Sequence, residues 1–418
     1  MMNDSFAFFR RNNLIFGRVA TLVVSSICAL LSLNIVMKHF GLLEFGRYTL
    51  LISLTSLLPF LNLGVRTLIY NQFAASGKKQ NPSQIYSDQE FFSSIFFILA
   101  IFAIGTFLVS QTLATSLLNL NRADLQWGRI ILFMTCISAP FSSGNFLLNA
   151  RNKILINVFI SLLTPLFTLA GAVLAVKLEM GFQVAATAPI MGYFANCLVS
   201  FVLAKAHKLL RIKYVSIVRL RFFFGSQILG LGFLTLICES IFQFAINSPR
   251  YIFASLHAPN QLAEYSVFLI FFLPTASIFL PKITQISIEN RIGNQNDNWL
   301  ESRKGLVKSA FFLGIAFSFM LLSVKQLDLN LVFPSNVSIL FFVCILVLWV
   351  ICQIDINASI EARDFRVVIF GQLFGVLLML MSFLIIDIFP ASLQVCLPLL
   401  VFLSASNFFT RFSVVRRT

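Results

Sequence analysis

The chain has 418 residues, of which 58% are hydrophobic and only 11% charged. A soluble chain of this length carries roughly a quarter charged residues, so an ordinary water-soluble fold is excluded. The formal net charge of +15 would suit an acidic or nucleic-acid partner, but the basic residues gather between apolar runs as in the cytoplasmic loops of membrane proteins, and no nucleic acid is implied.

Arg10 and Arg11 precede an apolar stretch, Leu14 to Lys38, that superficially resembles a secretory signal. It is longer than a signal's apolar core and no small-x-small site follows, so it reads as an uncleaved first helix. Further apolar runs predict spans near 45–70, 91–118, 129–150, 155–177 and 182–204, then near 224–253, 262–284, 305–325, 337–360, 366–389 and 392–411. Runs of this length match a bilayer core at 1.5 Å per helical residue. The alternation expected of an outer-membrane barrel is absent. The fold class expected is an all-α polytopic membrane protein, with about twelve transmembrane helices in two six-helix lobes around a central cavity.

With both termini in the cytoplasm, 22 basic residues fall in the inside loops and termini and six in the outside loops (Lys38, Arg47, Arg122, Arg129, Lys177 and Lys325). That asymmetry is the positive-inside bias, and an odd number of spans would scramble it. The longest basic segment, Lys205 to Arg221, falls at the midpoint and reads as a cytoplasmic loop drawn to anionic headgroups. It divides the chain into an N-terminal lobe (1–204), a basic linker (205–223) and a C-terminal lobe (224–418).

The halves are weakly self-similar. Gly41 to Tyr48 (GLLEFGRY) opens the second span and Ala258 to Tyr265 (APNQLAEY) opens the eighth, their tyrosines 217 positions apart. Arg151 and Arg363, at the ends of the fourth and tenth spans, are 212 apart. Six is even, so two six-helix copies share one orientation and their repeat axis runs along the membrane normal.

Charge at bilayer depth costs about 2.5–3.5 kcal/mol per residue and marks sites of use. Glu239, Gln243, Asn247 and Arg250 are spaced four, four and three along the seventh span, which puts all four on one narrow helical face. Ser138, Ser142, Asn145 and Asn149 repeat this in the fourth span. Arg18, Thr21, Ser25 and Ser32 share a side of the first, Asn62 and Arg66 lie in the second, and Gln353, Asn357 and Glu361 in the tenth. Such faces fit one central cleft; the competing reading is interhelical hydrogen bonding that only holds the bundle together. Arg18 and Arg66, near the cytoplasmic surface, and Arg250, near the outer end of its helix, could equally reach headgroups by snorkelling. Asp355 points away from the Gln353 stripe and reads as structural.

Pro59, Pro140, Pro165, Pro189 and Pro274 interrupt helices, as static kinks or as points where a transporter bends. The seven cysteines lie in apolar segments without paired spacing and read as small buried hydrophobes. His39, His207 and His257 are too dispersed for a metal site, and no cofactor is implied.

Leu42 to Tyr48 (LLEFGRY), then Leu61 to Val65 (LNLGV), resembles the pattern after the first helix of bacterial polysaccharide exporters. Arg250 to Leu256 (RYIFASL) with Gln261 to Tyr265 fits the second-half counterpart. Over essentially its whole length the chain is similar to O-antigen repeat-unit flippases (Wzx type) of the multidrug/oligosaccharidyl-lipid/polysaccharide superfamily. It departs where an LG pair is usual, at Gly41 and Leu42, and where Asn62 replaces the commoner aspartate, which puts a proton role at that position in doubt. The resemblance implies a non-enzymatic flippase in the bacterial inner membrane. Its substrate would be an undecaprenyl-diphosphate-linked oligosaccharide moved from the cytoplasmic to the periplasmic leaflet, its partners membrane lipids and other polysaccharide-assembly proteins. Arg18, Arg66 and Arg250 would hold the diphosphate; Asn145, Asn149, Gln243, Asn247 and Asn357 would meet sugar hydroxyls. Glu239 is the candidate for ion or proton coupling, because a carboxylate in a sheltered site can load and release a proton. Two alternatives stay open: a cation-coupled multidrug exporter of the same superfamily, and a membrane polymerase or ligase of polysaccharide assembly. Against the latter, the outer loops are about ten residues or shorter, and no nucleophile, glycine-loop or metal motif occurs.

Overall fold

The structure is a computed structural model that describes residues 2–57, 65, 68–69, 88–117, 122–150, 153–207, 209, 215–225, 233–256, 258–277, 279, 283, 296–326, 335–362 and 365–415. Among them no strand occurs, and the all-α expectation holds.

Helix α1 runs Met2–Ser53 and is followed by a 3-10 turn, Leu54–Leu57. The sequence reading ended one span at 38 and opened the next at 45. The chain instead remains helical on both sides of a single non-helical residue, Gly41 (φ 82°, ψ 173°). That left-handed backbone is open to glycine without a Cβ clash, so a sharp bend replaces the expected loop. The helices that follow are α2 (Asp88–Leu117), α3 (Arg122–Ala150), α4 (Ile154–Ser161), α5 (Leu163–Lys177), α6 (Phe182–Ala206) and the short α7 (Ile217–Phe223). Then come α8 (Phe233–Ser255), α9 (Pro259–Ser277), α10 (Asn296–Gln326), α11 (Asn336–Ala362), α12 (Phe365–Leu384) and α13 (Ala391–Val415). The fifth expected span is split at Leu162, where Pro165 in the first turn of α5 lacks the N–H that would continue the ladder.

Nine helical stretches among the described residues are long and apolar enough to cross a membrane, so the protein is a multi-pass membrane protein. The helix of the seventh expected span, α8, is not among the nine: its polar face dilutes its hydropathy. In α9 the apolar stretch is shorter, Asn260–Leu273.

The chain forms two compact units. The first comprises Met1–Phe40 and Leu51–Phe233, the second Gly41–Leu50 and Leu234–Thr418. The ten residues Gly41–Leu50, from the bend onward, thus belong with the second half of the chain. In the first unit α6 packs on both α3 and α5, and α2 on α3. Gly144 permits the α3–α6 approach: a Cβ there would stand 2.6 Å from the Phe201 backbone. Small residues of this kind let helices close in lipid, where apolar burial alone gives little drive. Phe96, Phe141, Phe194 and Phe201 fill the neighbouring space with edge-on and tilted rings. In the second unit α12 packs on α13, α11 on α10 and on α13, around Phe242, Trp349 and Phe402. Many of its outward residues are apolar, among them Phe312, Phe319, Leu377 and Phe408, which suits contact with hydrocarbon. Six cysteines are buried as expected, but Cys344 is exposed: it stands on the outward side of α11, where a soft thiol is as compatible with lipid as with a core.

Candidate functional site

The polar face of α8 is real, and its upper half is built as a ladder. Asn247 donates from Nδ2 to the Gln243 carbonyl at 2.9 Å. Its Oδ1 accepts from Arg250 Nη1 at 3.3 Å. Glu239 and Gln243, lower on the same face, are half-buried, whereas Asn247 and Arg250 are buried. The open question for Arg250 was headgroup or interior. At 9% exposure it lies inside the second unit and does not snorkel.

What surrounds Arg250 was only partly legible. Tyr48, Tyr251 and Tyr265 lie within electrostatic range of its guanidinium, and Tyr48 and Tyr265 are themselves buried. The Tyr265 hydroxyl donates to the Ile246 carbonyl at 2.6 Å, one turn below Arg250. Gly46 brings the Tyr48 segment against α9: a Cβ there would sit 3.4 Å from Leu262 Cδ2. Among the described residues no carboxylate pairs with Arg250, and its buried Nε–H finds no acceptor. The reading from sequence missed Pro249, which precedes Arg250 inside α8. Proline removes the hydrogen bond to the carbonyl four residues back, that of Ala245, so the helix loosens next to its buried charge. The signal was available, a proline beside an intramembrane arginine.

Next to this cluster, polar contacts tie α9 to the start of α11 and to α13. Glu264 accepts from the Ser335 backbone N–H at 3.0 Å and from Ser338 Oγ at 2.8 Å. Gln261 donates to Gln394 at 3.3 Å. Asp355 is held by Arg303 at 3.0 Å, in keeping with a structural role.

The α3 stripe behaves differently. Ser138 and Ser142 bond back to their own helix, at the Met134 and Ala139 carbonyls. Asn145 donates to Cys197 Sγ of α6 at 3.5 Å, while its buried Oδ1 has no partner. Asn149 is half-buried, one residue from the end of α3. Thr21 and Ser32 of α1 likewise bond to the Gly17 and Cys28 carbonyls. Arg66 and Asn62 lie outside the described residues, as do the side chains of Arg18, Asn357 and Glu361. Arg250 and Asn247 are therefore brought together with Tyr48 and Tyr265 in the second unit, and Asn145 with Cys197 in the first. Among the described residues no group of His, Cys, Asp and Glu is arranged to hold a metal ion.

No family model matches the chain, and no curated protein matches it. Solved structures do. The eukaryotic MATE transporter AtDTX14 superposes with a TM-score of 0.67 at 13% identity, covering 98% of this chain and 96% of that one. The lipid II flippase MurJ, in an inward closed conformation, gives 0.63 at 12% identity over 96% of this chain and 87% of its own. A MOP superfamily transporter from Pyrococcus furiosus, described as having a binding pocket of reverse polarity, gives 0.65 at 16% identity over 97% and 96%. At these identities the likeness is one of fold. Over nearly its whole length the chain shares the all-helical fold of these transporters.

Proposed function

We propose that the protein is a flippase that carries an undecaprenyl-diphosphate-linked oligosaccharide, an O-antigen repeat unit or similar polysaccharide precursor, from the cytoplasmic to the periplasmic leaflet of a bacterial inner membrane. Both termini lie in the cytoplasm in this reading, as the charge asymmetry of the loops requires. The observation that carries it is Arg250: a buried cation with an idle Nε–H and no carboxylate partner among the described residues. A guanidinium stays charged at any working pH, and leaving it unpaired indoors costs several kcal/mol. An anionic ligand offsets that cost when it arrives, and a diphosphate matches the planar fork. Arg18 and Arg66 are proposed to add charge to the same path. Gln243, Asn247, Asn145, Asn149 and Asn357 supply amides for sugar hydroxyls, and Glu239 couples translocation to an ion or proton. Alternating access then carries the headgroup across while the lipid tail stays in hydrocarbon.

The second reading, a cation-coupled multidrug exporter, draws on the MATE neighbours. It needs acidic or aromatic groups where Arg250 stands, and a buried arginine repels cationic drugs. The Pyrococcus relative in fold, with its pocket of reverse polarity, supports the idea that this architecture can serve other cargo. A polymerase or ligase is disfavoured because the fold neighbours are transporters.

The test is reconstitution of the full chain in vesicles holding undecaprenyl-diphosphate-linked oligosaccharide, with translocated headgroup read by an impermeant oxidant. Arg250→Gln should lower flux about tenfold or more, the loss of a charge-assisted contact of about 1.5–3 kcal/mol, and Arg250→Lys should fall between. Unchanged flux in Arg250→Gln, or transport of a cationic dye in place of the lipid, would overturn the reading.

A further inference from the structure

Helix α7 is too short and too exposed to be a span, yet it is firmly placed. Ser216 caps it, its Oγ accepting from the Arg219 N–H at 3.4 Å. Phe223 is fully buried, its ring edge-on to Phe91 at 5.4 Å. Arg219 pairs with Glu90. Both anchors lie at the start of the membrane stretch of α2, Glu90–Val109, while the stretch of α6 ends at Ala206, shortly before α7 in the chain. By the apolar lengths of α2 and α6 the helix falls where hydrocarbon would meet headgroups, and all these contacts are within the first unit.

With Phe223 turned inward, the outward side carries Ile217 and Val218, each 78% exposed, then Arg221 and Phe224. Two aliphatic residues so exposed on a single short helix would be a poor surface in water, and they suit insertion beside acyl chains. The surrounding sequence, Lys205 to Arg221, holds six Lys and Arg and no acid. Glu90 neutralises Arg219 in part, but Lys205 and Arg221 are exposed. Apolar insertion together with several cations is the combination that retains a helix on an anionic surface.

We infer that α7 is an anionic-lipid docking helix, with Ile217 and Val218 seated among acyl chains and Lys205 and Arg221 on the phosphates of acidic headgroups. This holds whatever cargo the protein moves. The full chain carrying Ile217→Trp, or in a second variant Val218→Trp, is reconstituted in phosphatidylcholine vesicles with a quarter phosphatidylglycerol, and bromine quencher is placed on one lipid or the other. After subtraction of the parent's tryptophans, the new indole should be quenched by both lipids, and per mole at least about twofold more by phosphatidylglycerol. Adding Lys205→Gln with Arg221→Gln should abolish the preference and leave the quenching by phosphatidylcholine. No quenching by either lipid would overturn the proposal, since the helix would then face water or a protein partner. Equal quenching per mole in the variant with its cations intact would overturn the selection of acidic headgroups.

Discussion

Tyr48 and Tyr265, 217 positions apart in the sequence, both lie within electrostatic range of one guanidinium, that of Arg250. They open the two segments whose likeness suggests a duplicated six-helix unit, and the Tyr48 segment packs with the second half of the chain. Tyr48 stacks on Phe45 and Tyr265 leans on Phe253, so each ring is fixed by an apolar neighbour.

Of the two, Tyr265 has the clearer structural duty. Its hydroxyl donates to the Ile246 carbonyl at 2.6 Å, in the turn loosened by Pro249. Tyr265→Phe should destabilise the protein by about 1 kcal/mol, read as a drop of a few degrees in the midpoint of thermal unfolding in detergent. An unchanged midpoint would mean that the carbonyl is satisfied within its own helix.

Arg250 should show opposite effects on stability and transport. Removing an uncompensated buried charge is often neutral or stabilising, so Arg250→Gln should leave the unfolding midpoint unchanged or raised while flux falls. Had the arginine been a structural strut, both quantities would drop together. The two measurements on one purified variant separate these roles.

Sequence carried the membrane class and most of the spans, because apolar length is set by bilayer thickness and needs no tertiary information. It carried the α8 stripe for a similar reason: Glu239, Gln243, Asn247 and Arg250 share a face through helical geometry alone. The surroundings of Arg250 were legible only as far as Asn247 on its own helix, since Tyr48 comes from a distant segment and periodicity says nothing of which helices meet. The α3 stripe misled in part. Ser138 and Ser142 have the right spacing, yet hydroxyls can satisfy themselves on the preceding turn, so spacing does not distinguish a cavity wall from a self-bonded helix. The bend at Gly41 was read as a loop because a lone glycine between apolar runs reads the same in either case.

Glu239 is proposed to couple transport to a proton or ion. Glu239→Gln keeps the size and hydrogen-bonding reach but cannot change charge, so the dependence of flux on pH or on the ion gradient should disappear while substrate still binds. Flux with its pH profile intact in this variant would remove Glu239 from the coupling step.

Gly144 sets how closely α3 and α6 approach. An added methyl at 2.6 Å from the Phe201 N and Cα meets backbone, which cannot turn aside as a side chain could. Gly144→Ala should therefore push the helices apart, at about 1–3 kcal/mol for overpacking. It should also disturb the neighbouring contact between Asn145 and Cys197. The expected result is a lower yield of folded protein and a lower unfolding midpoint. Asn145→Ala, which removes the same contact without the clash, should cost less.

The pair of Arg303 and Asp355 ties α10 to α11 at 3.0 Å, with side chains 29% and 12% exposed. Both charges are largely out of water, so what each mutation leaves behind matters more than what it removes. Arg303→Met takes the cation away from a sheltered carboxylate and should cost up to about 3–5 kcal/mol, the upper end for a buried pair, less in proportion to the exposure and the other contacts that remain. Asp355→Leu strands a longer and more exposed cation, which can swing toward headgroups, and should cost less. The double substitution leaves neither charge and should be more stable than Arg303→Met alone. A double-mutant cycle on unfolding midpoints checks the ordering. Were the double variant the least stable of the three, the contact would be contributing net stability, and the desolvation argument would fail for this pair.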